Sequence, residues 1–422
     1  MTAGRWTAFW LLLGLGVAHA SSDAPLPDWN QYRGPKRDGV SRESAVSADW
    51  PLEGPPVLWK AQAGKGPCGL IVAHGRLYTA GNTNGREALL CYEAANGKEL
   101  WKFEYDSGDP SPKNPGPAST PAADEARVFM LSRTGQLHAV DRDSGKLIWK
   151  KDFVQDFGAK KPPNGFCGSP LLYGATLVVP VCGTQATVAA FDRATGDTVW
   201  TWKGAMSNYA SPLSFALPQG GEQLLIASDF GYHGLDPASG KQAWAYRWPT
   251  AFNINATLPV VAGDSFIVSS GYGKGCARLK PASDTVEEIW GGNKKEIKNL
   301  RSQCSPAVLF EGHLYGYDGD GQSGAKQPLV CVDAANGELK WSSDKIKGAG
   351  ALMCAGGRLL VLNHTGTLAL VEATPESYRE LARAQLIAPK CWQPPVLVGG
   401  RAYLRNENGD LVCSDLAPSS NK

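Results

Sequence analysis

The side chains that could do chemistry are ten cysteines, five histidines beyond residue 20 and a few acids in glycine-rich turns. His74, His138, His233, His313 and His364 never fall into the H-x-H or H-E-x-x-H spacing that turns two imidazoles onto one zinc ion, so no metal site is predicted. Asp318-Gly-Asp320 supplies the first two ligand positions of a calcium loop, but no Glu stands at the twelfth. The run GDGQSG (319–324) matches G-x-G-x-x-G yet joins two strands and opens no helix, which removes the phosphate-binding context the motif requires. Both read as surface turns. A G-x-S-x-G nucleophile elbow is missing, so hydrolase chemistry finds no support. Cys91, Cys331 and Cys413 each sit two residues before an acid (Glu93, Asp333, Asp415) and read as small buried residues. Cys167 and Cys182 differ. A two-residue turn at Gly174-Ala175 would place them opposite each other across a hairpin, within disulfide reach.

The elements that position these residues come from a repeat. EAANGKELW (Glu93 to Trp101) returns as DRDSGKLIW (Asp141 to Trp149), DRATGDTVW (Asp192 to Trp200), DPASGKQAW (Asp236 to Trp244) and DAANGELKW (Asp333 to Trp341). Each time an acid precedes Trp by eight residues and Gly precedes it by four. A strand reaches the acid, the Gly-containing stretch turns the chain, and an outgoing strand carries the Trp. A second hairpin lies upstream of each phrase, making four strands per unit. One such sheet must bury its faces against neighbours, so the units are blades of an all-β propeller. With Trp290 as a degenerate copy, successive Trp residues are 48, 51, 44, 46 and 51 apart, the blade period. Two further units lack Trp, and the last runs out of chain before its fourth strand, while Trp59 in PPVLWKA has no blade of its own. The prediction is eight four-stranded antiparallel blades over 57–417, closed by the N-terminal strand at 57–61. Trp59, Trp101, Trp149, Trp200, Trp244, Trp290 and Trp341 are then packing residues between blades.

Composition agrees. The 422 residues include 49 Gly and 29 Pro, which suits short strands and tight turns, and 43% hydrophobic residues, enough for a large core. Forty-two basic and 40 acidic residues leave +2, without the basic stripe of a nucleic-acid binder. Arg5, the apolar run Ala8 to Val17 and Ala18-His19-Ala20 read as a signal peptide over 1–20, cleaved near Ala20. The first cysteine is Cys68, so no lipid anchor is expected, and no segment is long enough to span a bilayer. The expected location is periplasmic or secreted. Residues 21–56 are expected to form an arm against the propeller, and 418–422 a frayed tail.

In every blade the loop between the second and third strands should open on one face around the channel. These loops carry Arg133, Asp229, Tyr232, Tyr272, Asp318, Asp320, His364, Arg405 and Asn406, the candidate ring for a ligand or partner.

The phrase LHAVDRDSGKLIW and its copies resemble the repeat of pyrroloquinoline-quinone (PQQ) dehydrogenases and of BamB-type outer-membrane assembly proteins, and WNQYRGPKRDG resembles the opening of PQQ-like propellers. The dehydrogenase branch implies an adjacent Cys-Cys pair at the quinone, often a C-x-x-C-H haem segment, and Ca²⁺ held by an acid and an amide. None of the ten cysteines adjoins another and no C-x-x-C-H occurs. The BamB branch implies loops that hold other exported or envelope proteins, without catalysis or cofactor. That reading is the expectation. A PQQ- and calcium-dependent alcohol or sugar dehydrogenase is the alternative, and carbohydrate binding through Tyr232 and Tyr272 a third.

Overall fold

The computed structural model describes Met1 and residues 28–43, 46–107, 116–206, 209–292, 295–319, 327–346 and 348–418. Eight sheets follow one another around a channel, each with strands A to D from the channel outward. Blade 1 comprises Leu70–Ala73, Arg76–Thr83, Arg86–Glu93 and Glu99–Tyr105. The innermost strands of blades 2 to 8 are Ala122–Ala123, Leu171–Tyr173, Leu213–Ala216, Val260–Ala262, Val308–Phe310, Gly350–Ala355 and Val396–Val398. Val57–Gln62 is the outer strand of blade 8, with Trp59 opposite Cys413, so chain start and chain end close the ring as the repeat predicts. Strand C is buried along most of its length and strand D alternates, because C is sandwiched between neighbouring blades while D forms the rim.

The repeated phrase is a lock between blades. In blade 3 the Asp192 carboxylate accepts the Ala194 and Thr195 N–H groups, shaping the C–D turn. Gly196 follows at φ 79°, and a Cβ there would lie 2.7 Å from the Trp149 ring of blade 2. The Trp149 indole N–H donates to the Arg193 carbonyl of the same turn at 3.0 Å. Trp101 meets Gly145 and Arg142, Trp200 meets Gly240 and Pro237, and Trp59 meets Gly97 and Ala94 in the same way. Each acid-to-Gly turn is thus the socket for the preceding blade's Trp.

The exceptions follow from the sockets. Blade 5 has no glycine turn, so Trp244 donates to Gln223 at 2.7 Å and stacks on Phe266. Blade 8 closes with the N-terminal strand and has no C–D turn, and the Trp position of blade 7 is Ala382. A second constant is a bulge in strand D immediately before this position, as between Leu147 and Trp149 or Glu380 and Ala382. The skipped residue points outward, which is why Leu58, Leu100, Ile148, Val199, Ile289 and Leu381 are exposed apolar side chains.

Residues 28–43 are threaded across the channel. Trp29 bridges to Val72 in blade 1, Asn30 accepts the Ala123 N–H of blade 2, and Gln31 accepts the Leu172 N–H of blade 3. Arg37 donates to Ser169 and Pro212 carbonyls on one side, and Arg33 to those of Pro306 and Ala307 on the other. Val40–Ser41 then adds a parallel strand to Cys354–Ala355 of blade 7, and Glu43 caps the Gly399 and Gly400 N–H groups of blade 8. The arm is therefore inside the ring, beyond the sequence expectation of an arm lying against it. Both guanidiniums are buried and donate to carbonyl dipoles, although the Arg37 Nε has no partner, and no carboxylate lies at ion-pair distance among the described residues. Burial pushes the Arg37 pKa down to about 9 and lowers that of Arg33.

Trp149→Ala should cost about 3–5 kcal/mol by emptying the socket. Gly196→Ala should cost at least about 1 kcal/mol through its left-handed backbone alone. Urea midpoints of the two variants check this, with Ile148→Ser on the exposed bulge expected to stay within about 0.5 kcal/mol.

Candidate functional site

The arm closes the channel at the end where the A–B turns lie, because its partners fall in the later halves of strands A. A cavity of about 350 Å³ remains at the other end. Its floor is Tyr32 of the arm. Its wall comes from the D–A connections just before each inner strand: Thr120, Cys167 and Ser169, Tyr209 and Ser211, Ala256 and Leu258, Gln303 and Cys304, Trp392 and Gln393. The B–C loops add Arg133, Tyr272 and Glu407. Proline follows Thr120, Ser169, Ser211, Leu258 and Gln393 directly, and the extended backbone preferred before proline turns each chain segment down into the channel.

Several wall groups are fixed by their own bonds. Arg133 is buried and donates to the Gly116 carbonyl at 3.0 Å. The Gln303 amide oxygen accepts the Gly271 N–H at 2.8 Å, and Gln393 donates to the Pro67 carbonyl at 3.0 Å. Glu407 accepts the Trp392 indole N–H at 2.7 Å, with the Lys390 ammonium 3.7 Å away. The cavity is an aromatic and amide-lined cup with one carboxylate.

Of the eight described residues in the nine-residue ring expected from sequence, Arg133 and Tyr272 reach this wall. Arg405 is buried and donates to carbonyls of Gly64, Gly66, Cys68 and Ala80, riveting blade 8 to blade 1. Asn406 shapes its own loop by bonding Asp410 at both ends of its amide. Asp318 is held by the Arg301 guanidinium at 2.8 and 2.6 Å. His364 packs edge-on against Trp392, ring centroids 4.5 Å apart. Asp229 lies at the rim, half-buried, its N–H bonded to the Met206 carbonyl. Tyr232 is fully buried between blades 4 and 5, so it offers no exposed ring to a sugar. Asp320 lies outside the described residues. These B–C side chains are mostly spent on neighbouring segments, Arg405 on blade 1, Asp318 on Arg301 and His364 on Trp392, and the D–A connections, which the repeat phrase does not mark, build most of the cup wall. Their signal in the sequence is the recurring Ser-Pro or Thr-Pro ahead of inner strands, as at 120–121, 169–170 and 211–212.

The predicted disulfide is corrected. The hairpin register is the expected one, Leu171 opposite Val178 and Tyr173 opposite Thr176. The ladder ends there, however, and Cys167 and Cys182 lie beyond it without a disulfide between them. Cys182 has left-handed backbone at φ 53° and turns into the apolar cluster under Phe157, while Cys167 lines the cup.

Two cofactor groups can be tested against these residues. Calcium takes roughly six to eight oxygen ligands. Among the described residues the cup has one carboxylate, engaged by an indole and near an ammonium, and Asp318 is committed to Arg301. No group of three or more His, Cys, Asp or Glu suited to a metal occurs among the described residues. The donor set does not fit a calcium-bound quinone.

The histidines serve packing. His233 sits between the Ser228 hydroxyl at 2.8 Å and the Gln242 amide oxygen at 3.0 Å, against Trp202 of blade 3. At the equivalent position of blade 2, His138 stacks on Tyr105 of blade 1 at 4.4 Å, and burial pushes its pKa down to about 4. The unfolded chain therefore binds a proton that the folded protein refuses as pH falls from about 6.5 to 4, and stability is lost through that window. The loss attributable to His138 should reach about 3 kcal/mol below pH 4. Urea midpoints at pH 7 and 4.5 should show a flatter pH dependence in His138→Asn.

The model of the outer membrane protein assembly factor BamB family matches residues 85–310 and 215–380. The outer membrane protein assembly factor BamB of Moranella endobia (strain PCIT) is 25% identical over 238 residues, 53% of this chain and 56% of that protein, so the match spans little more than half the relative's length. The crystal structure of BamB from Moraxella catarrhalis superposes with a TM-score of 0.61 at 15% identity, covering 86% of this chain and 99% of that one. The quinohemoprotein alcohol dehydrogenase ADHIIG of Pseudomonas putida HK5 superposes at 0.69 and 11% identity, covering 94% and 81%. At these identities the superpositions show the fold alone, and no helix among the described residues is long and apolar enough to cross a membrane. With two-thirds of its length under the family model and eight interlocked blades, the chain belongs to the BamB-type family of PQQ-like β-propellers.

Proposed function

We propose that this propeller is a noncatalytic binding protein of the periplasm or cell exterior, which holds other exported or envelope proteins through the loops around its channel mouth. One observation carries the reading: the chain's own arm shuts the channel and is bonded to blades 1, 2, 3, 4, 6, 7 and 8. A channel closed in this way leaves one broad face on which short loops are held by a rigid ring. Arg405 and the Arg301–Asp318 pair stiffen that face from beneath. Rigid loops lose little conformational freedom on binding, which favours recognition of a partner surface. The name of the BamB relatives, which are assembly factors, points the same way.

A second reading has one observation in its favour. The cup is blind, aromatic-walled and about 350 Å³, a size that admits a small planar ligand. A PQQ- and calcium-dependent alcohol or sugar dehydrogenase would use it, against the donor chemistry described above. Calorimetric titration of the purified protein with PQQ and Ca²⁺, with melting curves, separates the two. The binding-protein reading expects no calcium-dependent heat and an unchanged melting temperature. Saturable, calcium-dependent binding with a raised melting temperature would overturn it.

A further inference from the structure

The mouth face is not uniform. Met206, Phe230 and Phe252 are exposed large apolar side chains, and all three belong to loops of the sector formed by blades 3 to 5. Hydrogen bonds and a ring contact tie these loops together. The Asp229 N–H donates to the Met206 carbonyl, the Trp248 N–H to the Phe230 carbonyl, and the Phe252 ring packs edge-on against Tyr272, centroids 5.3 Å apart. Tyr272 is itself part of the cup wall, so the apolar strip runs from the rim into the cavity.

Phe252 is the centre of the strip. It is 79% exposed, and it stands on left-handed backbone (φ 64°), as does Asn253 beside it (φ 54°). Two successive non-glycine residues in that region are costly, and an exposed ring with a single edge-on ring contact offers folding little to compensate. The strain is supported from below: Trp248 is buried with its indole N–H on Ser270, and Asn255 donates to the Trp248 and Ser228 carbonyls. The loop is therefore built to present Phe252 to solvent.

The surroundings carry an excess of basic charge. The described connections that enter and leave blades 3 and 4 on this face hold Lys160, Lys161, Lys203 and Arg247, all exposed, against Asp156 and Asp229. Lys274 lies over the Trp248 ring at 4.3 Å. An apolar strip inside a basic surround complements a segment with the reverse pattern.

We infer that the strip Met206–Phe230–Phe252–Tyr272 is the docking surface for an extended or helical segment of an exported protein, anchored by apolar side chains and flanked by acidic ones, with one anchor entering the cup. This deepens the proposed function and rests on it. A photo-crosslinking residue, benzoylphenylalanine, placed singly at 206, 230 and 252 in the native host tests it, with Asn408 on the blade 8 side of the same face and Thr285 on an outer turn as controls. The result expected is an adduct from 206, 230 and 252 whose cross-linked peptide is apolar with acidic flanks. Phe252→Asp should weaken the adduct at 206 at least about 10-fold while shifting the melting temperature little, since the ring is exposed and its one ring contact among the described residues is the edge-on one with Tyr272. Adducts at 408 but not in the strip, or a cross-linked peptide with basic flanks, would overturn the inference and leave mouth-face binding standing. No adduct at any mouth position would overturn both.

Discussion

The structure depends on one contact repeated around the ring: an indole from one blade seated on a glycine turn of the next, with its N–H on a carbonyl of that turn. A four-stranded sheet cannot bury two faces alone, so a blade has stability only through its neighbours. The Trp side chain supplies area, and the hydrogen bond supplies register. Where the phrase is complete, a left-handed glycine and an acid shape the turn, so three residues answer to a single contact. Blade 5 lacks the glycine and Trp244 is re-partnered, blade 8 has no C–D turn and blade 7 no Trp, whereas the glycine-free turn of blade 7 still accepts the Trp341 indole N–H through the Thr374 carbonyl.

A ring locked from outside leaves a channel in the middle, and this chain fills it with its own arm. Arg33 and Arg37 reach opposite walls like spokes and meet backbone carbonyls there. Their burial without a carboxylate is expensive, and the Arg37 Nε finds no dipole at all among the described residues, so they bind the arm to one geometry rather than adding much net stability. With one end closed, the cup is blind, and in the proposed function recognition falls to the mouth loops and to the apolar strip beside blades 4 and 5.

The blades were legible because their signal is local and repeated. Acid, glycine and tryptophan at fixed offsets reveal strand order, turn type and the closing strand around Trp59. The site was much less legible. Arg405, Asn406 and Asp318 have the residue types of a binding ring, yet each spends its hydrogen bonds on its own loop or the next blade. Which bonds a polar side chain spends depends on contacts far away in sequence, as with Arg405 and Ala80. The cup residues escape periodic reading because Thr120, Ser169 and Ser211 precede the strands, and Tyr32 comes from an arm without a repeat. Phe252 carries no motif at all; only its exposure and backbone reveal it.

The central claim is that the arm is a fixed part of the ring. Hydrogen–deuterium exchange of residues 28–43 in the unliganded protein tests it most directly. The account predicts that the amides of Trp29, Gly39 and the Val40–Ser41 strand exchange as slowly as those of the inner strands they join. Exchange within seconds, while the blades remain protected, would show a lid that opens and would return the channel to consideration as the working site.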